Sequence, residues 1–116
     1  MQKHWSGRHN CATEGFAGVI RWKSDAEKYL RSSGLSYTII RPGALDDRPG
    51  GQLGIGLAQG DAVFANLPHV SRADVASVIV ESLFNPEASG KTFEMYNGVT
   101  QEIDDWRQAF ARLKKD

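Results

Sequence analysis

The run Thr38-Ile39-Ile40-Arg41, closed by Pro42-Gly43, constrains this chain more than any other feature. Successive β-branched residues are stiff at χ1 and fit a pleated surface, so Ser36 to Arg41 is predicted as a strand. Proline cannot donate to a ladder, and the Pro42-Gly43 pair is expected to end the strand sharply. In open α/β sheets ligands bind beyond the carboxyl ends of strands. Backbone groups freed at such a turn would be available to an amide-bearing ligand; a plain strand-ending turn is the alternative.

The residues on either side predict alternating helices and strands. Phe16, Val19, Ala26 and Leu30 recur at helical spacing, so a helix is predicted over Phe16 to Ser33. Glu27 and Arg31 support it as an i, i+4 pair, and Gly34 suits the left-handed position after its end. Gly43 to Pro68 is Gly-rich, with one short strand or helix within Leu53 to Ala58 or Ala62 to Ala65. Ser71-Arg72-Ala73-Asp74 reads as a capping box opening a helix that buries Val75, Ala76, Ile79 and Leu83 and stops at Asn85-Pro86. Lys91 to Asn97 reads as a strand closed by Asn97-Gly98. Thr100 would then cap a last helix with Ile103, Trp106, Phe110 and Leu113 inward, its acids first and Lys114-Lys115 last, as the helix dipole favours. This order indicates an α/β layer fold. Residues 1–15 are polar and read as a flexible lead-in, with residues 16–116 as the folded part.

Composition narrows the function classes. The 116 residues carry 14 Lys and Arg against 14 Asp and Glu, with no basic stripe, so nucleic-acid binding has no electrostatic support. No apolar run is long enough to span a bilayer. The single cysteine, Cys11, rules out an internal disulfide and fits a reducing, cytoplasmic setting. His4, His9 and Cys11 lack the paired spacing of a metal site, and none is expected.

One residue breaks its local pattern. Lys23 falls four residues after Val19, on the apolar stripe of the first predicted helix. Either it snorkels at the core rim beside Glu27, or it points into a ligand cleft beside the following strand.

Lys23-Ser24-Asp25-Ala26-Glu27, then Leu30 to Gly43, then Val70-Ser71-Arg72-Ala73-Asp74-Val75-Ala76 and Lys91 to Tyr96 occur in the order of a known pattern. It runs K-x-x-A-E, L-x-x-S-G-L-x-Y-T-I-x-R-P-G, I-x-R-x-D-V-A and a late K-x-F-E strand. Residues 16 to 113 thereby resemble the carboxyl-terminal half of atypical short-chain dehydrogenases, including NmrA-like and flavin- or biliverdin-reductase-like members. The resemblance implies a partial Rossmann-like parallel sheet flanked by helices, an NAD(P)-dependent oxidoreductase ancestry and a dinucleotide (NADP or NAD) with a small-molecule acceptor. It implies Lys23 as the catalytic and ribose-binding lysine, and Arg41, Pro42, Gly43, Ala44 and Leu45 as the cofactor-binding turn against the nicotinamide. Arg72 and Asp74 correspond to structural positions that fix a loop to a helix start.

The chain departs from the pattern twice. Val19 stands where the family's catalytic tyrosine precedes the lysine by four, and the amino-terminal strand, Gly-rich turn and helix that hold the pyrophosphate are absent. Gly50-Gly51-Gln52-Leu53-Gly54-Ile55-Gly56 has the G-x-x-x-G-x-G spacing, but Asp46-Asp47-Arg48-Pro49 precedes it and Gly60 interrupts any helix after it, so it reads as a loop. The chain is therefore expected to be a truncated, weakly active or inactive relative, or a non-catalytic redox-sensor or protein-interaction module. An exposed sheet edge would favour a homo-oligomer or a partner chain.

Overall fold

The computed structural model describes residues 14–60 and 68–116, with side chains from residue 18 onward. Most of the predicted lead-in, with His4, His9 and Cys11, lies outside the described residues, as does Ala62 to Ala65. The chain divides into two units, residues 1–35 and 36–116.

The first unit holds α1 (Glu14–Arg31). Its closing turn follows the predicted chemistry. Gly34 has φ +82°, a conformation that other residues adopt only at a cost. The Ser33 hydroxyl donates to Leu30 O at 2.6 Å, and Arg31 meets Glu27 at 3.5 Å.

The second unit contains β1 (Thr38–Pro42), β2 (Ala44–Asp46), β3 (Gly54–Ala58), β4 (His69–Ser71), α2 (Arg72–Phe84), a 3-10 turn (Pro86–Ala88), β5 (Lys91–Val99) and α3 (Trp106–Ala111). The order of strands in the main sheet is β1-β5-β3, with β1 parallel and β3 antiparallel to β5. A second pair, β2 and β4, is parallel. The expected α/β fold is present, but the sheet is mixed rather than wholly parallel. The cause lies in the Gly-rich stretch, where residues 54–58 form a strand that runs back along β5.

The core lies on one face of β5. Phe93 and Met95 are fully buried there with Val70, Val78, Ala88 and Phe110, and Ile40, Ile55 and Leu57 from the flanking strands pack against them. Phe110 of α3 stacks at tilted geometry on Phe93 and Trp106, with centroids 5.8 and 5.5 Å apart. Lys91 is buried with its ammonium donating to Phe110 O at 2.6 Å, so the charge is solvated by a carbonyl at the end of α3.

Three local expectations are corrected. The buried stripe of α2 is Asp74 and Val78, with Val75 beside it, while Ile79 and Leu83 are exposed. Burial of the polar groups of Ser71 and Asp74 sets the helix rotation and turns Ile79 and Leu83 outward. Asn97-Gly98 does not end β5. Gly54 pairs with Val99 and Ile55 with Asn97, so Gly98, at φ +115°, is the extra residue of a β-bulge. The last helix starts at Trp106, capped by Asp105, whose carboxylate accepts from Gln108 N at 3.2 Å, and not by Thr100.

Candidate functional site

Arg41 and Pro42 close β1, Gly43 links, and Ala44 and Leu45 open β2, so the five predicted turn residues are contiguous in the second unit. Lys23 lies in α1, in the first unit, one helical turn after Val19. The structure thus joins the turn residues to one another within a single body, and Lys23 belongs to the other body.

Pro42-Gly43 is a crossing rather than an abrupt end. The chain leaves the main sheet at Pro42, paired with Met95, and enters the second pair at Ala44, paired with His69. Gly43 N is not freed. It donates to Met95 O at 2.9 Å and so extends the ladder by one bond. A Cβ at Gly43 would overlap the Pro68 carbonyl oxygen. The glycine is therefore required by the close approach of a second backbone. Leu45 remains 46% exposed just beyond this crossing.

The acids that follow are each engaged by an arginine. Asp46 accepts from Arg48 Nε at 2.8 Å and lies 2.7 Å from Arg48 Nη2, with His69 Nδ1 at 3.8 Å. The hydrogen-bonded Arg48 guanidinium holds the Asp46 carboxyl below its ordinary value, against a smaller opposing effect of desolvation. Asp47 meets Arg72 at 2.5 Å, which ties the loop to the first residue of α2.

Asp74 does more than the capping box anticipated. Its backbone N–H donates to the Ser71 hydroxyl at 3.1 Å, as predicted. The reciprocal bond is absent, because Ser71 N donates instead to Asn97 Oδ1 at 2.8 Å. The Asp74 carboxylate accepts from Gly51 N and from Asn97 Nδ2, each at 2.9 Å. Asp74 is 4% exposed and both its carboxylate oxygens are satisfied. Such a group is a clamp between loop, helix start and β5, in agreement with the structural role expected of Arg72 and Asp74. Asn97 is the partner that sequence reasoning missed. Its place in an Asn-Gly pair reads as turn chemistry, whereas β5 runs on past it and alternation puts Asn97 on the buried face with Phe93 and Met95.

The glycine motif does not form a phosphate cradle. Residues 50–51 form a turn, and residues 54–58 form β3 rather than the start of a long helix. The Gly51 amide already serves the Asp74 carboxylate, which would repel a phosphate. Gly54 and Gly56 are small because Val99 O and the Tyr96 ring occupy the space of a side chain. Among the described residues, then, nothing fits the pyrophosphate of a dinucleotide, and no hydride-transfer step is derived. A cleft of about 250 Å³ beside this turn, lined by Ser77, Glu102, Ile103 and Trp106 among others, is small and of mixed polarity. No group of His, Cys, Asp and Glu among the described residues is arranged to hold a metal ion. No described helix is long and apolar enough to cross a membrane.

The comparisons with known proteins agree with this architecture. A family model described as NAD(P)H-binding matches residues 2–86, and so begins within the polar lead-in. Sanguinarine reductase of Eschscholzia californica is 34% identical over 103 residues, covering 85% of this chain and 38% of that protein. The uncharacterized sugar epimerase YhfK of Bacillus subtilis is 38% identical over 78 residues, covering 67% of this chain and 34% of that protein. Several further relatives are named as chloroplastic. The crystal structure of the oxidoreductase ylbE from Lactococcus lactis superposes with a TM-score of 0.59 at 26% identity, over 90% of this chain and 45% of that one. The chain spans 34–38% of the length of the two curated relatives described. On the family match and the shared α/β fold together, the chain belongs to the NAD(P)H-binding family.

Proposed function

We propose that this chain corresponds to the carboxyl-terminal, nicotinamide-facing half of an atypical short-chain dehydrogenase, and that alone it binds NADP or NAD weakly or not at all. The observation that carries this reading is the crossing at Gly43. It lies at the carboxyl end of β1, and open α/β sheets place ligands beyond the carboxyl ends of their strands. In this reading Arg41, Pro42, Gly43, Ala44 and Leu45 form the wall against the nicotinamide, and Lys23 serves its ribose. Recognition at that wall rests on shape and on Leu45, since the Gly43 amide is already used. The affinity is low because no backbone amides among the described residues are arranged to hold the pyrophosphate. The single cysteine suits a reducing compartment such as the cytoplasm.

A tryptophan-fluorescence titration of the chain with NADPH tests this. The expected dissociation constant is weaker than about 1 μM. Sub-micromolar binding would show that the chain holds a complete dinucleotide site.

Val19 favours a second reading over catalysis, that of a non-catalytic redox sensor or interaction module. A valine cannot act as the general acid that the family places four residues before the lysine. Steady-state assays with NADPH and quinone, flavin or biliverdin-type acceptors separate the two readings. Robust turnover would sink the sensor.

A further inference from the structure

We propose that the Gly50-Gly51 turn and Asn97 form an anion cradle whose resident anion is the Asp74 carboxylate of the same chain, so that the glycine motif holds an anion and is closed to any other. The inference is independent of the dinucleotide reading, and all its residues lie within the second unit. Two N–H groups converge on the carboxylate, one to each oxygen. Gly51 N reaches Oδ1 and Asn97 Nδ2 reaches Oδ2, each at 2.9 Å. Asn97 cannot turn its amide over, because Ser71 N donates to its Oδ1 at 2.8 Å. Its Nδ2 therefore stays a donor toward Asp74.

The glycines make room for this carboxylate as a phosphate loop makes room for phosphate. A Cβ at Gly50 would stand 3.1 Å from Asp74 Oδ1, tighter than a side chain ordinarily sits, so the bare backbone lets the oxygen come close. Gly51, at φ +76°, takes the left-handed conformation of an anion-binding nest and donates its N–H to the carboxylate. Neutral donors meet the Asp74 charge directly, and no cation bonds to it among the described residues. Arg48 feels that charge but bonds to Asp46, and Arg72 bonds to Asp47. A carboxylate that is 4% exposed and bonded only to N–H dipoles is held as an anion is held in a nest.

The cradle borders the cleft of about 250 Å³, whose lining includes Gly50, Gly51 and Asp74. A small solute in that cleft reaches the cradle once Asp74 is shortened. Asp74→Ala vacates the volume of one carboxylate and leaves both donors around it. One donor for each oxygen matches a small carboxylate, and formate has the size of the group removed. In the unaltered chain the place is filled and carries a negative charge, and Glu102 adds a second charge of the same sign to the cleft. Both keep outside anions away.

The test is amide exchange at Gly51 in Asp74→Ala, with circular dichroism to confirm folding. Sodium formate at about 100 mM, against sodium chloride of equal ionic strength, is expected to slow that exchange about tenfold, which corresponds to a formate dissociation constant of about 10 mM. The urea midpoint should rise with it. Formamide, with the same shape and no charge, should do neither. The wild-type chain should be indifferent to formate, as should Asp74→Asn, whose amide still fills the cradle. A folded Asp74→Ala that does not respond to formate overturns the proposal. An equal effect of formamide also overturns it, since the place would then take any polar acceptor, as does an equal response in the wild type or in Asp74→Asn. If Asp74→Ala does not fold by itself, the readout becomes recovery of its helical signal on adding formate but not formamide, and no recovery overturns the proposal.

Discussion

At Gly43 the backbone amide donates to Met95 O at 2.9 Å; at Gly51 it donates to Asp74 Oδ1 at the same distance. Both turns invite a ligand when read as sequence, and in both the amide is already used within the protein. Beyond that they differ. Gly43 stands where a second backbone, that of Pro68, occupies the space of a side chain. Gly51 has φ +76° and open space around its Cβ position. One glycine is required by packing and the other by torsion. A Gly-rich spacing by itself does not distinguish these demands from each other or from a phosphate site.

The sharpest way to break this comparison is Gly43→Ala. The added methyl would meet a carbonyl oxygen that cannot rotate away, and Pro68 directly precedes β4. Relief requires β1 and β4 to move apart, which strains the β2–β4 pair as well. We expect a loss of about 3 kcal/mol, at the upper end for overpacking, read as a fall in the urea midpoint with unchanged slope. A loss below about 0.5 kcal/mol would mean that the crossing is loose and the packing account wrong.

Asp74→Ala comes next. It strips Gly51 N of its acceptor and takes from Asn97 Nδ2 the shortest of its three, leaving Leu53 O and Gly54 O at 3.4 Å. Losing hydrogen bonds to a charged group costs about 1.5–3 kcal/mol, and we expect about 2 kcal/mol by the same measurement. Faster amide exchange at Gly51 should accompany it. An unchanged Gly51 exchange rate would show that the carboxylate does not hold the turn.

The legibility of this molecule in its sequence follows the range of the interactions involved. The ends of α1 and α2, the strand over 38–41 and the Ser71 cap are fixed by near neighbours, and sequence reasoning placed them within a few residues. The outward turn of Ile79 and Leu83 was not legible. It depends on Ser71 and Asp74 reaching Asn97, 26 and 23 residues away along the chain. Periodicity gives a helix its stripe but not the partner that sets its rotation. The direction of β3 was hidden for the same reason, because its pairing partner β5 is distant along the chain. At the candidate site, the contiguity of Arg41 to Leu45 was readable. The fate of the Gly43 amide was not, since its acceptor is Met95, 52 residues later.

Gly51→Ala is the smallest effect and the most discriminating. A left-handed alanine costs about 1–2 kcal/mol, but alanine also restricts the unfolded chain and returns about 0.4–1 kcal/mol. With open space at the Cβ position, no steric term adds to these. The expected net loss is therefore about 1 kcal/mol, well below that of Gly43→Ala, although both substitutions add the same methyl group. The hydrogen bond to Asp74 constrains the outcome further. If the turn relaxed to negative φ, the loss would fall toward zero, but the amide would rotate off the carboxylate and its exchange would accelerate as in Asp74→Ala. A loss near 1 kcal/mol with Gly51 exchange still slow would show that the clamp holds the torsion; a loss near zero with fast exchange would show that the torsion holds the clamp.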